Sequence, residues 1–358
     1  MSASERAFSS DYDTARARFR EAARRARFEI SAVPIGQKGP SGSELTIDFA
    51  QRGPTHASRV LVISCGLHGI EGYFGSAAQW TWLEQHTSVL APGQRVILIH
   101  ALNPYGFAHR RRVNEDNIDL NRNFVLEGAQ FAGAHPSYRA LNPLLNPEQP
   151  PKRVDTFLLQ AAPQLARHGF SALKNAVAQG QYEYPKGLFF GGQAPSTTSR
   201  ILRSVMPSLV GSPEQVLHID LHTGRGKSGE YALAVDMPMD SPRVQMLRRT
   251  FGAHIEGFDA ASTLYEIRGA LGPWLDQLMP LTQYDCLLAE FGTYNALSVL
   301  RALRIENVTH HHAPDDAALV ERSKQRLMEA FCPRSARWRS QTLGAALRVI
   351  AQGVRATT

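Results

Sequence analysis

The sequence is poor in cysteine and has no long apolar run. Its three cysteines, Cys65, Cys286 and Cys332, are odd in number and widely spaced among 358 residues. They imply no disulfide framework and fit a reducing compartment. No apolar run reaches the ~18 residues that span a bilayer, and the N-terminal segment lacks the apolar core of a secretory signal. We therefore expect a cytoplasmic protein without a membrane segment.

Basic residues exceed acidic ones without forming a long basic run. Lys+Arg number 39 and Asp+Glu 32, which gives a net charge of +7. No basic stripe with interleaved aromatic residues occurs, so nucleic acid is not an expected partner. An anionic substrate would use part of this positive charge. With 43% hydrophobic residues, a chain of this length can bury a large core, whereas its oligomeric state stays open.

Short apolar, β-branched runs alternate with helical patterns along most of the chain. Strands are predicted at residues 28–33, 44–50, 59–64, 95–101, 215–221, 231–235 and 285–289. The alternation predicts an α/β fold in which a mixed, mostly parallel twisted sheet is sandwiched between helices. We expect residues 1–358 to form a single catalytic domain. The rhythm breaks at residues 126–213, which we interpret as an insertion covering one side of the site.

Three short segments far apart in the chain supply the ligands that a catalytic zinc needs. His68 and Glu71 follow one predicted strand, His222 ends another, and Glu290 ends a third. Catalytic zinc sites use three nitrogen or oxygen ligands and keep a position for water, whose proton a further carboxylate can take. Strand ends of such sheets meet at one crevice. The pattern predicts zinc on His68, Glu71 and His222, with Glu290 as the base.

A polar segment over residues 103–124 is rich in arginine and asparagine. It contains Asp119-Leu-Asn-Arg-Asn-Phe124, in which charged residues mix with apolar ones. A charge run is usually a solvated loop. Arginine and asparagine in a fixed loop, however, suit a fork that grips a carboxylate through two hydrogen bonds.

Together these segments resemble the zinc carboxypeptidases of the carboxypeptidase A type, and among them a bacterial subgroup of short, unprocessed members. The order is H-x-x-E, N-P-x-G, R…D-L-N-R-N-F, D-L-H and a late Glu, and it runs from His68 to Glu290. The resemblance implies one zinc per chain on His68, Glu71 and His222. It also implies that Glu290 is the general base and proton shuttle.

The resemblance further assigns the residues that hold the substrate. Asn121 and Arg122 match the grip on the substrate's terminal carboxylate. Arg112 matches by spacing the arginine that stabilises the tetrahedral oxyanion, with Arg111 as the alternative.

The chain departs from the family pattern at two places. Ile70 stands where the family has an arginine within H-x-x-E, so that substrate contact is absent. Many members carry a mobile tyrosine shortly before the catalytic glutamate. In this chain Tyr265, Asp276 or neither residue takes the place of that tyrosine. The substrate preference of the family's digestive enzymes therefore cannot be transferred to this chain.

Other polar residues have ordinary interpretations beside functional ones. Three consecutive histidines at 310–312 predict a polar loop rather than a metal site. His218 is expected to be a satisfied core residue or an outer partner of the site. Asp220 either orients a ligand imidazole or bonds a neighbouring loop. Arg225 lines the substrate pocket or lies in a surface turn.

The sequence predicts a zinc hydrolase that cuts an amide bond next to a free carboxylate. Carboxypeptidase action on small peptides is the first hypothesis. A deacylase of N-acyl amino acids, as in the succinylglutamate desuccinylase and aspartoacylase group, is the alternative, because it shares the zinc set and the Asn-Arg pair. A metal-free binding module would predict loss of a ligand or of Glu290, and none is lost. His/Glu sites also accept other divalent ions.

Overall fold

The computed structural model describes residues 3–85, 90–91, 93–151, 157, 159, 161–163, 178–257 and 267–358. Its strands are β1 Glu29–Lys38, β2 Glu44–Arg52, β3 Arg59–Cys65, β4 Arg95–His100, β5 Gln215–Thr223, β6 Tyr231–Val235, β7 Ile255–Gly257 and β8 Gln283–Phe291. Each predicted strand is present, and the short β7 was not predicted.

The strands form one eight-stranded mixed sheet. Its order is β1-β2-β4-β3-β5-β8-β6-β7. The four central strands, β4, β3, β5 and β8, run parallel. The pairs β1–β2, β2–β4 and β6–β8 are antiparallel, whereas β7 runs parallel to β6. The near-continuous apolar runs of the central strands fit this placement, because parallel strands are covered on both faces. The predicted α/β class is therefore confirmed.

The described helices are α1 Ala3–Ala7, α2 Tyr12–Arg25, α3 Gly72–Gln85, α4 Pro104–Ala108, α5 Pro136–Leu145, α6 Thr197–Val210, α7 Pro242–Phe251, α8 Leu271–Leu278, α9 Ala296–His312, α10 Ala317–Phe331 and α11 Ala336–Ala356. Of these, α3 and α11 pack on the central strands and on each other. None of the helices in the part of the chain that the structure describes is long and apolar enough to cross a membrane.

Alternation along β5 separates an apolar face from a polar one. Leu217 and Ile219 face α11, where their side chains approach Gly353. His218, Asp220 and His222 point to the opposite face, as the two-residue period of a strand requires. The end of β5 therefore presents a histidine and an aspartate away from the α11 layer, although both are buried.

The H-x-x-E and N-P-x-G segments interlock through two glycines. A Cβ on Gly69 would lie 2.1 Å from the carbonyl carbon of Gly106. Asn103 accepts a hydrogen bond from Gly106 N at 2.8 Å and donates to Arg112 O, and Gly69 N donates to Arg112 O at 3.0 Å. The close backbone contact fixes the turn that carries His68 against the segment that carries Arg112.

Two predicted features differ from the structure or lie outside it. Residues 310–312 form the last turn of α9 rather than a polar loop, because the helix continues past Leu303 to His312. The sequence pattern of residues 154–178 predicts a helix, and this segment lies mostly outside the described residues. Within residues 126–213, α5 and α6 are present. That this segment is an insertion stays a prediction.

Replacing Gly69 by alanine is expected to destabilise the protein by about 2 kcal/mol or more, because the new Cβ overlaps the backbone of Gly106. Denaturant unfolding measures this change. Gly344→Ala is the matched control, since its nearest neighbour would be a side-chain atom of Arg348 at 3.6 Å. The control should be neutral or gain up to about 1 kcal/mol from helix propensity. Equal stability of the two variants would contradict the interlock.

Candidate metal centre

Three buried side chains converge at the carboxyl ends of β3 and β5. His68 precedes a short 3₁₀ turn after β3, Glu71 is the last residue of that turn, and His222 lies near the end of β5. One ligand atom from each residue lies within 4.8 Å of the other two. The exposed fractions of His68, Glu71 and His222 are 4%, 1% and 0%. The structure thus brings together the three residues predicted as ligands.

The Nδ1 atoms of both histidines face the Glu71 carboxylate. His68 Nδ1 lies 2.8 Å from Glu71 Oε1, and His222 Nδ1 lies 2.9 Å from Glu71 Oε2. The backbone N–H of Thr223 also donates to Oε2 at 3.1 Å. Two imidazole nitrogens and one carboxylate are the donor set of a catalytic zinc site. The converging atoms are therefore Nδ1, Nδ1 and a Glu71 oxygen.

The opposite ring nitrogens are held by two further carboxylates. His68 Nε2 lies 3.2 Å from Asp119 Oδ1, and His222 Nε2 lies 2.6 Å from Asp220 Oδ2. Histidines that bind metals usually donate their second N–H to such a group, which fixes the ring and its tautomer. Asp220 thus contacts the His222 ring, as the first of its two predicted roles requires, and the role itself stays a prediction. Asp119 was not assigned this role, although it belongs to the D-L-N-R-N-F motif.

A buried hydrogen-bond chain extends behind Asp220. Ser64 Oγ donates to Asp220 Oδ1 at 2.5 Å and lies 2.7 Å from His218 Nε2, while the Tyr284 hydroxyl lies 3.0 Å from His218 Nδ1. Burial lowers the pKa of His218 to about 4, so its ring is neutral, with one donor and one acceptor nitrogen. Because the Asp220 carboxylate only accepts, the Ser64 hydroxyl uses its one proton on Asp220. Nε2 of His218 therefore donates to Ser64, and Nδ1 accepts from Tyr284.

The charges around the cluster favour a bound cation. Burial raises the pKa of Glu71, but the charges and hydrogen bonds of His68 and His222 outweigh it and hold this pKa below its ordinary value. For His222, burial acts against Asp220 and Glu71, and the two carboxylates raise the pKa of the ring well above its usual value. A cation on Nδ1 would replace that proton. The residues present therefore fit a divalent metal.

Glu290 lies beside His222 on the neighbouring strand. The two residues pair in register between β5 and β8, so their side chains share one face of the sheet. Burial and, to a smaller extent, the Glu71 charge raise the pKa of Glu290, against the charges of His222 and Arg225. A carboxylate with a raised pKa is suited to accept and return a proton near neutral pH.

Arg112 lies against two of the three clustered residues. Its Nη2 lies 2.7 Å from His68 Nε2, while Nη1 donates to Glu71 Oε1 at 3.3 Å and Nε donates to Asp119 Oδ2 at 2.9 Å. Asp119 therefore holds both the His68 ring and the Arg112 guanidinium. This places a fixed positive charge at the edge of the cluster.

Asn121 and Arg122 are buried in the 3₁₀ turn of the D-L-N-R-N-F motif. Asn121 Oδ1 accepts from Leu271 N at 3.1 Å. Arg122 donates from Nε to Ala178 O at 2.9 Å and from Nη1 to the carbonyl of Asn121. Both residues line the same cavity as His68 and Glu290.

Other candidates lie away from this cluster. Arg111 is buried and donates to Glu306 Oε1 at 2.9 Å, so it ties its loop to α9 and does not line the cavity. Arg112 is thus the arginine that the structure brings to the site. Asp276 contacts Arg243 and is not among the residues lining the cavity. Tyr265 lies outside the described residues.

The cluster opens into a cavity of about 720 Å³. Its polar end contains His68, Glu71, Glu290, Arg112, Arg122 and Arg225. Arg225 therefore lines the cavity, the first of its two predicted placements. A volume of this size is typical of small-molecule sites. Three guanidinium groups at the polar end favour an anionic ligand.

Comparison with known sequences identifies one matching family. The family model described as "Protein of unknown function (DUF2817)" matches residues 8–345. No curated protein sequence matches the chain.

Solved structures similar to the chain have a carboxypeptidase-like α/β fold. They include a provisionally assigned metallopeptidase from Shewanella amazonensis, with 15% identity, a TM-score of 0.44 and coverage of 90% of this chain and 94% of that one. Carboxypeptidase A from Helicoverpa armigera has 13% identity, a TM-score of 0.47 and coverage of 89% and 73%. An aspartoacylase family protein from Mesorhizobium loti has 13% identity and a TM-score of 0.37, and the match covers 79% of this chain and 66% of that one. Proposals about the activity and substrate of this chain therefore depend on its own residues.

Asp119→Asn and Asp220→Asn are each expected to weaken zinc binding about 10–100-fold, because an amide holds the ligand imidazole less firmly than a carboxylate. Competition with a chromophoric chelator measures the affinity. Asp276→Asn is the matched control, since its carboxylate is half exposed and contacts Arg243. Unchanged affinity in both test variants would show that these carboxylates do not support the metal.

Proposed function

The chain belongs to the DUF2817 family, and we propose that it is a zinc-dependent hydrolase that cleaves an amide bond next to a free carboxylate. The observation that carries this proposal is the His68–Glu71–His222 cluster, which shares one cavity with Glu290 and with the arginines. A ligand set, a base and positive charge are the components that such a reaction needs.

We propose that one zinc ion per chain is held by His68 Nδ1, Glu71 and His222 Nδ1. When bound, zinc supplies Lewis-acid catalysis and lowers the pKa of the attacking water. Asp119 and Asp220 keep the two rings oriented for this role, because each faces the outer nitrogen of one ring.

Glu290 would take the proton of the attacking water on a carboxylate oxygen and return it to the leaving amine. Its raised pKa and its place beside His222 support this role. Arg112 would face the negative charge that develops on the carbonyl oxygen. Because Asp119 already holds its guanidinium, little reorganisation accompanies the reaction.

Asn121 and Arg122 are proposed to bind the free carboxylate of the substrate. They lie side by side in one turn and line the cavity with Arg225. A guanidinium beside an amide can grip a carboxylate through two directed hydrogen bonds. The neighbouring Arg112 adds positive charge to the same cavity.

A carboxypeptidase of small peptides and a deacylase of N-acyl amino acids make the same demands on these residues. The two differ only in the group on the acyl side of the bond. We place either activity in the cytoplasm, in keeping with three free and buried cysteines. Neither activity involves nucleic acid.

Substrates with a free carboxylate are expected to be cleaved about 10–100-fold faster, in kcat/KM, than the same compounds carrying a carboxamide. This range corresponds to hydrogen bonds between charged partners. Liberated amine, measured over a mixed library of small peptides and N-acyl amino acids, gives the rates. Glu290→Gln should retain zinc and lose most of the turnover, since the amide cannot accept the proton.

His310→Gln is the control for this substitution, because that histidine lies on α9 outside the residues lining the cavity. Equal cleavage of acids and carboxamides would exclude recognition of a free carboxylate. Full activity of Glu290→Gln would exclude Glu290 as the base.

A further inference from the structure

The cavity has an apolar half that the proposed reaction does not use. Six leucines line it, and we call them the apolar arm: Leu141, Leu144, Leu145, Leu297, Leu300 and Leu303. The first three belong to α5 and the last three to α9. The described lining residues of this half contribute aliphatic side chains rather than charges.

Phe189 lines the cavity beside two of the arginines. The Arg112 and Arg122 guanidinium carbons lie 5.6 and 5.8 Å from the centre of its ring. The preceding residue, Leu188, accepts a hydrogen bond on its carbonyl from Tyr138 of α5 at 2.6 Å. Phe189 therefore contacts both arginines, and the residue before it is tied to α5.

The leucines of each helix lie on one face. Positions 297, 300 and 303 are three residues apart, and positions 141, 144 and 145 have the i, i+3, i+4 spacing. Arg304 of α9 donates to the carbonyl oxygen of Leu144 at 2.7 Å, and this hydrogen bond connects α9 to α5. Leu144, Leu297 and Leu300 are only partly buried although they pack on the core. These three leucines thus keep part of their apolar surface accessible in the part of the chain that the structure describes.

We propose that the apolar arm binds a long aliphatic acyl chain, so that the substrate is an N-acyl amino acid or an N-acylated peptide end. This inference rests on the proposed function. The wall from Leu297 to Leu303 extends about 9 Å along α9, at 1.5 Å per residue. The side chain of one amino acid fills part of such a wall, whereas a linear chain runs along it and buries more apolar area.

Hydrolysis of the proposed substrate needs water as its only co-reactant. Water adds to the amide carbonyl, Glu290 takes its proton, and the C–N bond breaks as the amine receives that proton. The products are a fatty acid in the apolar arm and a free amino acid whose carboxylate faces Asn121 and Arg122.

The test measures kcat/KM for one amino acid acylated with acetyl, hexanoyl, decanoyl or dodecanoyl groups. The rate should rise roughly fourfold for each methylene that the arm buries. Leu300→Trp and, independently, Leu297→Trp should reduce this gain by about tenfold or more for the long chains. A second series keeps the acetyl group and varies the C-terminal side chain from glycine to phenylalanine.

Leu281→Trp is the matched control, because Leu281 is 94% exposed and does not line the cavity. Calorimetric binding of dodecanoate adds a readout that does not depend on turnover, and Leu300→Trp should weaken it while Leu281→Trp should not. Equal rates for all acyl lengths, or a rate that follows only the C-terminal side chain, would overturn this inference alone. No hydrolysis of any member would overturn the proposed function and this inference with it.

Discussion

The Glu71 carboxylate, buried between two imidazoles, is the interaction on which the rest of the site depends. A carboxylate with 1% exposure is costly unless it is fully paired. Glu71 satisfies this requirement through His68, His222 and the Thr223 N–H. Because these partners follow β3 or end β5, the parallel pairing of the two strands determines where the carboxylate can sit. A metal ion bound at this point would take the place of a proton on an imidazole nitrogen, so it would need no new cavity.

The surrounding elements hold this arrangement from several sides. Asp119 links the His68 ring to Arg112, and Asp220 links the His222 ring to a chain of buried polar groups. The close contact of Gly69 with Gly106 brings the two loops within reach of each other. Each of these contacts fixes the orientation of a side chain or a loop, and fixed orientation is what a preorganised catalytic site needs most.

The parts predictable from sequence were those that repeat with a period or end a strand. His68, Glu71, His222 and Glu290 each follow or end an apolar strand, and parallel strand ends meet at one edge of the sheet. Fold class and strand positions followed from the same patterns. The joint role of Asp119 was not predictable, because the direction of a side chain in an irregular loop depends on the backbone around it.

The remaining differences have similar physical reasons. Arg111 and Arg112 are adjacent in sequence, yet one bonds Glu306 in the core and the other reaches the site. Spacing alone does not tell which of two neighbouring side chains points inward in a turn. The apolar arm joins α5 and α9, which are separated by about two fifths of the chain, so no local pattern indicates that their leucines share a cavity.

Anomalous X-ray scattering at the zinc absorption edge, from crystals of the purified protein, tests the central claim most directly. One strong peak per chain is expected, about 2.0–2.2 Å from His68 Nδ1, His222 Nδ1 and a Glu71 oxygen. Absence of a peak there in zinc-supplemented protein, or a peak at residues 310–312 instead, would contradict it.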